Sequence, residues 1–121
     1  MKAIQLKRNI IDIPFQDDEG KTVLTLQFDR SDEHVKEFHE LFSDLEGRVS
    51  KLEKNGNDWD ESEKVIKEIA DAMLGEGSYE KMYKLNPSVV IITQYLYMIA
   101  LGIKEELESE DLKAVESKYL K

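Results

Sequence analysis

The sequence contains no cysteine, only two histidines, two prolines and one tryptophan, and no long uninterrupted apolar run. The missing cysteines exclude disulfides, thiolate metal sites and thiol nucleophiles together, and they fit a reducing compartment. His34 and His39 lie five residues apart on one predicted helix, roughly 140° apart around its axis. They therefore cannot form an i, i+4 metal pair and read as polar-face or boundary residues. Ser31, Ser43, Ser62 and Ser78 have no histidine placed as a general base, so a hydrolase triad has no support.

Basic charge is also scarce. Lys and Arg total 17 against 26 Asp and Glu, a formal net charge of −9. That balance repels nucleic-acid phosphates and anionic membranes, and the lysines are interleaved with acids so that no basic patch forms. The longest apolar stretch, Val89 to Ile103, is broken by Thr93, Gln94 and Gly102 and is too short and polar to span a bilayer. The opening MKAIQLKRNIIDI has no apolar core of the length a signal peptide needs. The expectation is a chain that stays in water and contacts neither nucleic acid nor membrane.

What is present is patterned apolar residues, 40% of the chain, against 36% charged. One domain covering 1–121 is expected, with a strand pair over 1–29, a helical core over 31–107 and a terminal helix or tail over 108–121. The fold class is α+β, mainly α: an N-terminal β-hairpin or strand pair followed by a bundle of four to five helices.

Ile4 and Leu6 alternate with Gln5 and Lys7; after Arg8-Asn9 the alternation resumes in the opposite phase with Ile11, Ile13 and Phe15. The phase change predicts a bulge or bend near Arg8-Asn9. Pro14 lacks a backbone donor and belongs at a strand end or edge. Asp17-Asp18-Glu19-Gly20 reads as a turn. Thr22 to Phe28 reads as a second strand with Leu24, Leu26 and Phe28 inward.

Cap candidates and acids from Asp29 to Glu33 open a helix over about 31–54. Its stripe is Val35, Phe38, Leu41, Phe42, Leu45, Val49 and Leu52. Gly47 in its interior predicts a close helix crossing or a bend. Asn55 to Asp58 ends it, and Asp58 or Asp60 caps a second helix carrying Val65, Ile66, Ile69, Ala70, Met73 and Leu74. Gly75-Glu76-Gly77-Ser78 closes that helix, and Ser78 starts a short one through Tyr79, Met82 and Tyr83. Asn86 as cap and Pro87 as first helical residue begin a long helix to about Leu107. Its Val89-Val90-Ile91-Ile92 run suits a strand in isolation, but the later spacing of Tyr95, Leu96, Ile99, Ala100 and Ile103 favours helix. Apolar on more than one side, it is either the central core helix or a subunit contact. Leu112, Val115, Tyr119 and Leu120 form a thin stripe at the end.

The acidic groups offer little chemistry. Asp58, Asp60, Glu61 and Glu63 do not match an EF-hand loop, which needs a central glycine, and read as helix-start acids. Gly75-Glu76-Gly77-Ser78 lacks the Walker spacing and its Lys-Ser/Thr ending, and it follows a helix rather than a strand. No enzyme activity, metal or cofactor is expected. Aromatics with a polar handle suit protein interfaces, although Trp59 and Tyr95 suit the core better. Tyr97 and Met98 fall off the main stripe of the long helix. With methionine's capacity to fill variable surfaces, the expected protein contacts are Met73, Met82, Tyr83, Tyr97 and Met98.

The stretch from Ile66 through Leu74 to Tyr83 runs apolar helix, Gly75, Gly77, then Tyr79-Glu80-Lys81-Met82. With Asn86-Pro87 and the helix to about Leu107, it resembles the tail assembly chaperones of long-tailed bacteriophages of Gram-positive hosts. The N-terminal strand pair departs from relatives described as entirely helical. The resemblance implies a homo-oligomer in the host cytoplasm that binds the aggregation-prone tape measure protein before the tail tube assembles. It implies the short form of such a chaperone, because the charged end at Lys121 has no added domain. In that family a longer, frameshifted form is thought to recruit the major tail protein. The alternative expectation is a small structural or regulatory adaptor, such as a tail-completion component or a dimeric inhibitor.

Overall fold

The computed structural model describes residues 1–6, 8–54 and 59–109. The expectations for Asn55 to Asp58, for the side chains of Leu52, Trp59 and Asp60, and for the stripe from Leu112 to Leu120 lie outside the described residues. Among the described residues an N-terminal antiparallel hairpin, β1 (Ile10–Gln16) and β2 (Thr22–Asp29), precedes four helices. These are α1 (Asp32–Lys54), α2 (Trp59–Leu74), α3 (Ser78–Leu85) and α4 (Val89–Ser109). The fold is mainly α with a small β element.

Asp17 builds the hairpin turn. Its Oδ1 accepts the N–H groups of Glu19 (2.9 Å) and Lys21 (3.0 Å), and Gly20 takes φ +80°, a left-handed conformation in which a Cβ is strained. The register runs from Ile10↔Asp29 to Phe15↔Leu24, then shifts to Gln16↔Thr22 so that Val23 has no partner. Ile11, Leu26 and Phe28 are buried on one face, with Ile13, Phe15 and Leu24 packed beside them. On the other face Asp12 accepts from Arg8 Nη1 (2.9 Å) and Gln27 Nε2 (3.1 Å). These two donors, Arg8 first, hold its carboxyl below the usual carboxylate range.

Two expectations for this region fail. Residues 1–6 form no strand, and Ile4 and Leu6 stand exposed. The irregularity lies at Phe15/Gln16 rather than at Arg8-Asn9. No described strand lies beside residues 1–6: Arg30 N–H donates to Asn9 O (2.9 Å) as the last rung. Ser31 N–H then turns back to Asp29 Oδ1 (2.9 Å) and the chain enters α1. An alternating segment with no strand beside it has nothing to pair with.

In α1, Phe38 and Leu45 are buried, and Val35, Leu41, Phe42 and Val49 flank them. Gly47 marks no close crossing, since a Cβ built there meets nothing within 4 Å. α2 buries Ile66, Ile69, Ala70, Met73 and Leu74. Gly75 (φ +102°) and Gly77 (φ +88°) make the sharp link to α3. The Ser78 hydroxyl lies 2.7 Å from Gly75 O and 2.9 Å from Leu74 O, satisfying the end of α2 with its one proton. The start of α3 is capped from a distance: Asp71 Oδ1 accepts from Tyr79 N–H at 3.1 Å.

The α3–α4 link corrects another expectation. Asn86 closes α3, donating its N–H to Met82 O at 3.0 Å, and does not cap α4. Ser88 is the cap, its Oγ accepting from Ile91 N–H at 3.3 Å. Pro87 therefore precedes the helix instead of starting it. The backbone of Asn86 is extended (φ −147°), and two polar residues around one proline give two possible starts that spacing alone does not separate. α4 supplies a buried stripe to the core, with Ile92, Leu96, Ala100 and Ile103 all at most 1% exposed, while α2 is the helix that packs against β2 and the other three helices. Thr93, also buried, donates its hydroxyl to Val89 O at 2.7 Å, so its polar atom is paired within the helix. No helix among the described residues is long and apolar enough to cross a membrane.

Candidate protein-contact surface

An aromatic chain joins the hairpin to the helices. Phe28 of β2 meets Phe38 of α1 (5.4 Å between ring centroids), Phe38 meets Phe42 (5.9 Å), and Phe42 meets Tyr97 of α4 (6.1 Å). Lys104 Nζ sits 5.6 Å from the Phe42 ring centre, within cation–π range. Tyr97 is thus half-buried and held from below. Met98, the next residue, is 67% exposed, and Leu101, one turn on, is 43% exposed. α4 therefore presents core on one side and apolar surface on the other.

Beside Met98 runs a groove between α4 and β1, lined by Ile13, Pro14, Phe15, Gln16, Tyr95 and Ile99. Phe15 closes its floor by an edge-on contact with Tyr95 (5.8 Å, 77°). The bond from Arg30 N–H to Asn9 O makes that pair a hydrogen-bonded rung. In an antiparallel ladder such rungs alternate, so Ile11↔Phe28 and Ile13↔Leu26 exchange bonds while Pro14↔Thr25 does not. The missing donor of Pro14 thus falls on the open edge of β1, where it costs the hairpin nothing. An added strand would find no N–H at Pro14.

The five residues singled out from sequence separate. Met73 (1% exposed) and Met82 (0%) are core residues and offer no surface in this chain. Their helical spacing carries the reason, since Met73 follows Ile69 by four positions and Met82 follows Tyr79 by three, on the buried stripes. Tyr83 is 39% exposed at the α3 end beside Leu85 (45%), its ring stacked on Tyr79 (5.8 Å, 25°). That corner is flanked by Glu63, Lys67, Glu80 and Lys84, with Lys67 and Glu80 paired at 3.5 Å. Tyr97 and Met98 lie at the apolar side of α4. Sequence reasoning missed Leu101, Ile13 and Phe15 as members of that surface. Leu101 lies three positions from Met98, a helical spacing that was available; the β1 wall needed tertiary structure.

His34 Nε2 lies 2.9 Å from Met73 O, at the C-terminus of α2, and its ring packs on Phe28. His39 is exposed. Among the described residues no group of three or more His, Cys, Asp or Glu side chains is placed to hold a metal. The Tyr79 hydroxyl is buried without a hydrogen-bond partner. Burial first, and then the nearby Glu63 carboxylate, push its pKa up to about 12, so the phenol stays neutral near pH 7. No family model, curated protein or solved structure matches the chain.

Proposed function

We propose that this chain is a tail assembly chaperone that binds and solubilises a tape measure protein in the host cytoplasm. The observation that carries the reading is the exposed Met98–Leu101 face on a helix whose opposite side forms the core. The resemblance of the Ile66–Tyr83 stretch to phage chaperones names the partner. The groove between β1 and α4 favours a helical over an extended segment, because Pro14 leaves no amide for strand addition. Methionine at the centre of the face suits segments of varied sequence.

Magnitude shapes the mechanism. Fully burying one such side chain contributes about 1.5–3 kcal/mol, and Met98 and Leu101 are already partly covered. Set against the cost of association, one contact of this size is weak and reversible. Several copies along one long helical protein would hold it through avidity, while the acidic surface keeps the assembly apart from its neighbours. Co-expression of the chain with the tape measure protein of the same genome, followed by size exclusion, tests this. A soluble complex is expected. A folded chain alongside an insoluble tape measure protein would refute it.

A further inference from the structure

The two edges of the hairpin are not equivalent. On β1 the open edge carries Asp12 and Pro14, a charge and a missing donor, both of which discourage strand addition. On β2 the rung alternation turns the N–H and C=O groups of Thr25 and Gln27 away from β1. No other described element bonds to them. From Thr22 to Phe28 the strand has no charge and no proline, and Val23, Thr25 and Gln27 are exposed. Strand edges without such guards are templates for another strand.

We propose that β2 pairs antiparallel with β2 of a second copy, joining two hairpins into one four-stranded sheet. Charge selects the occupant. Lys21 precedes the uncharged run and Asp29 ends it, so antiparallel pairing brings the Lys21 end of each copy toward the Asp29 end of the other. With a net charge of −9, two copies repel over most of their surfaces, and this uncharged edge with opposite signs at its ends is where they tolerate contact. The gain is structural as well, since a two-stranded sheet is marginal and three or more strands over an apolar face are stable. This interface is separate from the α4 face and does not depend on the chaperone reading.

Hydrogen exchange and sedimentation equilibrium on the full, unaltered chain test it. The expected mass is twice 14.0 kDa at micromolar concentrations and above. The Thr25 and Gln27 amides, which bond to no other described element in a single copy, should gain protection as the dimer forms. Thr25→Lys sets like charges near the pairing axis and touches no core residue, so it should weaken the dimer about tenfold or more with an unchanged circular dichroism spectrum. A monomer at all concentrations would overturn the proposal. So would a dimer in which these two amides exchange freely, or one dissolved by Met98→Glu and not by Thr25→Lys.

Discussion

Phe15 of β1 meets Tyr95 of α4 edge to face, with centroids 5.8 Å apart and planes at 77°. This contact ties the hairpin to α4 and sets the floor of the groove beside Met98. Tyr95→Ala removes it and should destabilise the protein by about 2 kcal/mol, part from lost area and part from the ring pair. Tyr95→Phe keeps the ring and loses only a 3.5 Å contact with the Asn86 amide, so it should cost less than about 0.5 kcal/mol. Urea midpoints of the two variants compare them directly.

The exposed and buried methionines should behave oppositely. Met98→Glu lies on open surface and should shift stability by no more than about 0.5 kcal/mol, while Met73→Ala or Met82→Ala should cost about 2–5 kcal/mol. If the α4 face is the contact, capture of the tape measure protein falls in Met98→Glu with folding intact. A Met98→Glu variant that unfolds, or a Met82→Ala variant as stable as the parent, would contradict this placement.

Tyr79 gives a pH signature. Folding raises its phenol from 10.0 to about 12, so the folded chain holds this proton more tightly than the unfolded chain does. Below pH 10 both states keep it and its contribution is fully present; as pH rises from 10 through 12 the unfolded state releases it first and stability falls. Tyr79→Phe should remove that part of the decline, read as the difference between the two proteins' stability curves from pH 9 to 12. At neutral pH the same change deletes an unpaired buried hydroxyl and should stabilise by up to about 1 kcal/mol.

The α2–α3 link supplies a fourth test. Asp71→Ala removes the cap on Tyr79 N–H and should cost about 1 kcal/mol. Gly77→Ala meets open space but forces a Cβ into φ +88°, so it should cost a similar amount. Thermal melts of the two variants settle whether geometry or packing governs this turn.

Much of the architecture was legible because periodicity reports burial. The inward set Leu24, Leu26 and Phe28, the α1 stripe through Phe38 and Leu45, and the Gly75–Gly77 link all follow from spacing or from glycine's freedom. The failures involve information that local sequence does not hold. Ile4 and Leu6 alternate as a strand does, but no described strand lies beside them. Asn86 and Ser88 are both good caps, and only the closing bond to Met82 O decides between them. Asp71 caps a helix that begins seven residues later. Met73 and Met82 suit a variable contact by residue type, but their spacing puts them on buried stripes, and in the folded chain period outweighs residue type.

Methyl signals of the methionines offer the most direct measurement of the central claim. The chain has four, Met1, Met73, Met82 and Met98, and the three internal ones divide into two core residues and one on the α4 face. Carbon-13 methyl spectra of the intact chain would be recorded while helical peptides of the tape measure protein are added. The expected result is a saturable shift of Met98 with Met73 and Met82 unmoved. Binding that leaves Met98 unmoved, or that shifts the two core methyls instead, would contradict the placement of the contact on α4.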